Sequence, residues 1–168
     1  MVFSSYKKVG FSGARTLSKV SISALEFAYN SIPFDASICI GCADGVDKWF
    51  RSRFPDSEIF RVGFAGRGGF AERSIRCVDA VRSGGGAWIS FPDKACPVGL
   101  LPSGSSSRCF SGFGSGTWAS LAYAVGSGVD SFVFLGSIPV PSGWDLSPVS
   151  GCPGWFCRLN RCVQLSLF

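Results

Sequence analysis

The sequence predicts an α/β fold: a Rossmann-like, mostly parallel sheet of about five strands with helices on both faces, followed by an irregular C-terminal tail. Three observations predict it. Short apolar runs alternate with stretches of helical periodicity across residues 7–135, the pattern of strand–helix–strand units around a buried parallel sheet. Glycine-rich turns separate several of these strands from the helices that follow. Over residues 137–168 the alternation gives way to spaced Pro, Gly and Ser with Trp. The expected division is a domain over residues 1–136 and a tail over 137–168.

The elements follow in order. Residues 7–12 (KKVGFS) read as a first strand ending in the turn Ser12, Gly13, Ala14, Arg15. Residues 18–30 carry Val20, Ile22, Leu25, Phe27 and Ala28 at helical spacing. Residues 37–40 form a short buried strand. The turn GCADG leads into a second helix over 45–53, which Phe54-Pro55 ends. Residues 58–63 are a third strand, and the loop GFAGRGG opens into a helix over about 70–83. Gly84, Gly85 and Gly86 stop that helix before a fourth strand at 87–91. Residues 92–114 are long for a loop inside a compact domain, and such loops are usually functional or mobile. A helix over about 116–126 and a fifth strand at 131–135 (SFVFL) close the unit.

Composition narrows the chemistry. The 168 residues suit one domain, and 46% hydrophobic against 16% charged residues is enough to bury a core and excludes intrinsic disorder. There is no histidine, so catalytic triads, His–Cys dyads and HExxH zinc sites are excluded. The formal charge of +5 favours anionic partners without naming one. The opening MVFSSYKKVGFSGAR has no apolar segment of a secretion signal, and no run approaches the length of a membrane span. The expectation is a cytoplasmic chain with no membrane partner.

Eight cysteines without a secretion signal argue weakly for disulfides. Cys39 and Cys77 read as small buried apolar residues. Cys39-x-x-Cys42 is half of a redox or metal motif with no second CxxC. Cys152, Cys157 and Cys162 repeat every five residues, an incomplete zinc site unless Cys96 or Cys109 adds a ligand. Neither a metal nor a cofactor is expected.

In parallel sheets, ligands sit at the carboxyl ends of the strands, where turns open into helix N-termini. Three turns have that form: residues 10–15, residues 41–47 and residues 112–118. Glycines there let the backbone approach an anion closely, and the amides of the following helix point at it. Residues 112–117 (GFGSGT) are neither a P-loop, since no Lys-Ser/Thr follows, nor a dinucleotide fingerprint, since they do not open the first turn.

GFSGAR, GCADGVD, AERSIRCVDA and GFGSGTWASLAYA followed by SFVFL together resemble the SLOG superfamily. This Rossmann-like group includes the DNA-processing protein A domain and the LOG phosphoribohydrolases. The resemblance covers about residues 7–136. It implies a nucleotide-phosphate cradle at Gly13 and Arg15, at Gly41, Cys42, Ala43 and Asp44, at Arg73, and at Gly114, Ser115, Gly116 and Thr117. Arg15 and Arg73 offer planar donor forks suited to phosphate. Plainer readings stand beside these: Asp44 as N-cap of the second helix, Asp47 in its first turn, and Arg73 as a surface residue. The phosphoribohydrolases carry PGGxGTxxE, whose Glu serves glycosidic cleavage. This chain has Gly112, Phe113 and Ser120 in place of that Pro, Gly and Glu. Without that carboxylate or a histidine, no catalytic residue is expected. Glu72 is a stand-in better explained by a solvated helix face.

In the tail, Trp155 to Cys157 and Cys162 to Leu165 read as a small hairpin. The final QLSLF resembles the pentapeptide with which bacterial polymerases and repair proteins dock on the replicative sliding clamp. That resemblance implies Gln164 as polar anchor and Leu165, Leu167 and Phe168 as apolar plugs. The alternative is a last strand tucked against the domain.

Three functions are open on the sequence. The first is a SLOG-type module that binds a nucleotide or the phosphates of single-stranded nucleic acid, placed by its tail in bacterial, phage or plasmid DNA replication. The second is a nucleotide N-glycosidase or related hydrolase. The third is a structural interaction protein, homo-oligomeric or not. The aromatic-basic segment KWFRSRF at 48–54 suggests nucleic acid, although Trp49 and Phe50 packing on the sheet is the simpler account.

Overall fold

The computed structural model describes residues 2–160. Its elements are β1 (Lys8–Gly13), α1 (Ile22–Ser31), β2 (Ser37–Gly41), α2 (Val46–Arg51), β3 (Glu58–Phe60), α3 (Arg67–Ser83), β4 (Ala87–Phe91), α4 (Ser106–Cys109), α5 (Gly116–Gly126), β5 (Asp130–Phe134), β6 (Ser147–Pro148) and β7 (Trp155–Arg158). Among the described residues the strands form one sheet of order β3-β2-β1-β4-β5-β7-β6. The first five neighbours run parallel, and β7 and β6 close the edge antiparallel. The architecture is a Rossmann-like α/β fold with a mixed, mostly parallel sheet.

Alternation along the strands distributes side chains to two cores. Val9, Phe11, Ile38, Ile40, Ile89 and Phe91 join Leu25 and Ala28 of α1 and Val46 and Phe50 of α2 on one face. Cys39, Trp88 and Val133 join Val78 and Val81 of α3 and Leu121 and Ala122 of α5 on the other. The period of two in a strand dictates this split. Gly10 is required by it: a Cβ there would lie 2.6 Å from the Trp88 ring. Trp88 fills that place and donates from Nε1 to Ser12 Oγ at 3.1 Å.

The structure corrects the sequence expectations at several boundaries. α1 starts at Ile22 because Ser21 caps it, its Oγ accepting from the Ala24 amide at 3.3 Å. α3 starts at Arg67, three residues early, so its first turn tolerates two glycines. Among the described residues the sheet has seven strands where the sequence predicts about five, and the tail does not lie wholly beyond it. Trp155–Arg158 pairs with β5 and Ser147–Pro148 pairs with β7, because Trp155 buries against Phe3 and Phe91. The second arm of the expected hairpin lies outside the described residues. Residues 92–114 hold the short helix α4 and are pinned to the domain. Trp118 Nε1 donates to Lys94 O at 2.9 Å, and Trp144 Nε1 donates to Leu100 O at 3.0 Å. Among the described residues no helix is long and apolar enough to cross a membrane.

The turn after β1 and the start of α2 meet backbone to backbone. The Val46 amide donates to Ala14 O at 3.0 Å. Gly45 has φ 69°, and a Cβ there would lie 2.2 Å from Ala14 O and 2.4 Å from Arg15 C. Backbone cannot rotate away as a side chain can. Gly45→Ala therefore lowers stability by about 3 kcal/mol or more, at the upper end of overpacking and strained-backbone costs. Urea unfolding monitored by tryptophan fluorescence checks this through a lower midpoint with unchanged slope.

Candidate functional site

The strand order places β1 and β4 side by side while the chain leaves them toward opposite edges of the sheet. That is the switch point at which open α/β sheets leave a crevice beyond the carboxyl strand ends. A cavity of about 670 Å³ lies there, inside the range that holds small ligands. Its walls come from Ser12 to Arg15 at the end of β1, Gly41 and Ala43 at the end of β2, Asp93 and Lys94 after β4, residues 112–117 and the inner face of α3. Arg67, Phe70, Arg73, Ser74 and Cys77 of α3 line it, a three-to-four-residue spacing that keeps one helix face inward. Arg15, Arg67, Arg73 and Lys94 outnumber the carboxylates Asp47 and Asp93 among the lining residues, so the cavity carries an excess of positive charge.

Arg73 is not a surface residue: it is 8% exposed. Its Nη1 lies 3.7 Å from Asp47 Oδ2 and donates to Cys42 Sγ at 3.5 Å. Its Nε is buried with no hydrogen-bond partner. Arg15 lies over the Phe70 ring at 4.6 Å, with Arg73 5.8 Å from the same ring. Phe70 thus holds two guanidinium groups by cation–π attraction.

Asp47 occupies the first turn of α2, as the plainer sequence reading has it, but it is 6% exposed and faces the cavity. The Ala43 amide donates to its Oδ2 at 3.3 Å. Burial pushes its carboxyl up to about 6, against the pull of Arg73, the Ala43 amide, Arg51 and Arg15. Burial also pushes the Cys42 thiol up. A backbone hydrogen bond at Val62 and the Arg73 guanidinium outweigh it and hold the thiol below its usual value.

The remaining residues of the expected cradle divide. Gly41 opens onto the ion pair: a Cβ there would lie 2.5 Å from Asp47 Oδ2 and 2.8 Å from Arg73 Nη1. Gly13 lines the cavity, yet its lost Cβ makes room for Val46, 2.5 Å away. The Ala43 amide, expected in an anion nest, is taken by Asp47. Cys42 touches Arg73 but is not among the lining residues, and Asp44 is exposed away from them. Gly45, not Asp44, is the N-cap of α2.

Gly114, Ser115, Gly116 and Thr117 all line the cavity. Gly112 and Gly114 turn the chain at φ 90° and 79°. Ser115 caps α5, its Oγ accepting from the Trp118 amide at 3.3 Å. Lys94 Nζ donates to Gly114 O at 3.0 Å, fastening the turn to the end of β4. Ser120, at the position where the resemblance would place a glutamate, is 2% exposed and donates to Gly116 O at 2.7 Å. Glu72 is paired with Arg76 on an exposed face and does not line the cavity.

Sequence reasoning missed Asp93, Lys94, Arg67, Phe70, Phe110 and Phe113 as lining residues. Asp93 and Lys94 had a legible signal, since they directly follow a parallel strand and strand ends carry such sites. The two phenylalanines of the long loop had none. Among the described residues no three His, Cys, Asp or Glu gather as metal ligands. Their cysteines are all free thiols, and Cys162 lies outside them.

The folded state holds the Asp47 proton more tightly than an unfolded chain, so this site loses stability as pH rises from its ordinary value of 3.8 to about 6. The sign follows from a raised acid: the neutral form suits the buried site, and the charged form costs most above that window. Relative to Asp47→Asn, the wild type gains up to about 3 kcal/mol as pH falls through the window. Denaturant midpoints of both proteins across this range check it.

No protein-family model matches the chain, and neither a curated protein nor a solved structure matches it, so its own geometry carries the functional reading.

Proposed function

We propose that this protein is a nucleotide-binding module of the SLOG type, holding a phosphorylated nucleoside in the cavity between β1, β4 and α3. The observation that carries this reading is the buried Arg73, aimed into the cavity with an unpartnered Nε, beside Arg15 and the glycine turn that starts α5. A planar guanidinium with unused donors is suited to phosphate oxygens. Phe70, Phe110 and Phe113 give the same cavity an aromatic wall, the mixture expected of a site for an apolar ring with a charged group.

Free nucleotide is favoured over single-stranded nucleic acid. The segment that suggested a strand-binding surface is spent on packing. Trp49 and Phe50 are buried, and Arg51 Nη1 donates to Gly41 O and Ala43 O, both at 2.7 Å. Arg53 stacks on Trp49 at 3.5 Å. Binding is favoured over N-glycosidic hydrolysis because Ser120 is locked in the α5 backbone and carries no acid or base at physiological pH.

The C-terminal QLSLF supports a second element of the proposal, docking on a bacterial sliding clamp through Gln164, Leu165, Leu167 and Phe168. These four residues lie outside the described ones, so this element rests on the sequence resemblance.

Two outcomes are expected. Calorimetric titration with adenosine monophosphate and its guanosine, cytidine and uridine counterparts gives saturable binding of at least one. Arg73→Ala removes that binding, and Arg15→Ala weakens it about tenfold, the loss of one charge-assisted hydrogen bond. Unchanged affinity in Arg73→Ala with a folded far-UV spectrum contradicts the cradle. Separately, a chain ending at Val163 loses binding to a purified bacterial clamp that the full chain retains.

A further inference from the structure

The floor of the cavity holds an ion pair that is incompletely made. Arg73 Nη1 and Asp47 Oδ2 stand 3.7 Å apart, too far for a hydrogen bond between them. Both side chains are about nine-tenths buried, where an isolated charge is costly. Arg73 spends Nη1 on the soft acceptor Cys42 Sγ and leaves Nε without any acceptor. Asp47 Oδ2 accepts a hydrogen bond from the Ala43 amide at 3.3 Å. Gly41 keeps the space over the pair free of any side chain. The pair is thus reachable from the cavity, with Arg73 Nε left unsatisfied.

Resting on the nucleotide-phosphate reading above, we propose that Asp47 and Arg73 form a proton-coupled oxyanion subsite, in which Asp47 takes up one proton as a phosphate-type dianion occupies Arg73. The balance is simple. A dianion arriving beside a buried carboxylate repels it at short range in a medium of low effective dielectric. A proton from solvent neutralises Asp47, which then changes from competitor for the guanidinium to donor toward the ligand oxygens. Arg73 exchanges a distant carboxylate for a close oxyanion. No bond other than this O–H is made, and nothing is oxidised or reduced.

The charged and titratable groups facing Asp47 come from every element around it. Arg73 and Cys77 face it from α3, Arg15 from the turn after β1, and Arg51 from its own helix. Cys42 shares Arg73 with it. The Cys77 thiol is held well above its usual value by burial, so it stays protonated. Asp47 itself sits near 6, close enough to neutrality for an anion to complete its protonation. Cys42 feels the same event: once an anion neutralises Arg73, part of what holds its thiol below its usual value is lost.

Inorganic sulfate is the probe, because it remains a dianion throughout the range, whereas a nucleoside monophosphate itself titrates near about pH 6. Titration calorimetry of the full chain with sulfate is run from about pH 5 to about pH 8, in pairs of buffers that differ in ionisation enthalpy. The expected result is uptake of about one proton per sulfate above the titration point of Asp47. Affinity then falls about tenfold per pH unit there. Asp47→Asn retains the shape and the Ala43 contact, binds sulfate, takes up no proton and shows no such slope. Proton uptake by the wild type is a readout that needs no variant. Sulfate binding of equal strength at every pH overturns the coupling and leaves the anion reading standing. A slope that persists in Asp47→Asn assigns the proton elsewhere and also overturns it. No sulfate binding by either protein overturns the anion reading and the coupling with it.

Discussion

A guanidinium and a carboxylate buried together at the end of β2 set the terms for the rest of the site. Taking each charge out of water costs several kcal/mol, and a pair 3.7 Å apart recovers part of that cost. The fold supports the pair from three directions. α3 carries Arg73, α2 carries Asp47, and Gly41 between them contributes a missing side chain. The glycine turns have two different uses that a sequence cannot separate. Gly13 and Gly45 serve close packing of the β1 turn against α2, whereas residues 112–116 turn the chain at the cavity's edge.

Topology explains why these pieces converge. The order β3-β2-β1-β4-β5 puts the chain's reversal between β1 and β4, and the crevice that results belongs to the sheet rather than to any one loop. On the α3 and α5 side, Trp88, Ser12 and Ser90 build a buried polar floor under it. Ser12 and Ser90 share a 2.7 Å hydroxyl contact, and Trp88 donates to Ser12. The long segment after β4 is tied down by indole donors from Trp118 and Trp144. Two irregular stretches, residues 92–114 and the chain after β5, are therefore part of the same packing unit as α5.

The parallel core was legible because its signals are local. Apolar runs such as SICIG and SFVFL carry the strand pattern, and helix stops such as Gly84 to Gly86 mark the boundaries. Arg15, Arg73 and the turn before α5 were legible through motif order. The burial of Asp47 was not, because a first-turn carboxylate looks the same in sequence whether it caps a helix or faces a cavity. β6 and β7 were obscured for a related reason: Trp155 enters the core through contacts with Phe3 and Phe91, which lie far from it in the chain. Phe110 and Phe113 reach the cavity only through the path of an irregular loop, which no periodicity encodes.

The most direct test of the central claim is a crystal structure of the protein with a bound nucleoside monophosphate. The account predicts the phosphate in the cavity, with an oxygen within hydrogen-bond reach of the Arg73 guanidinium and others facing Arg15 and the start of α5. A nucleotide seated elsewhere, with Arg73 still held between Asp47 and Cys42, would contradict it.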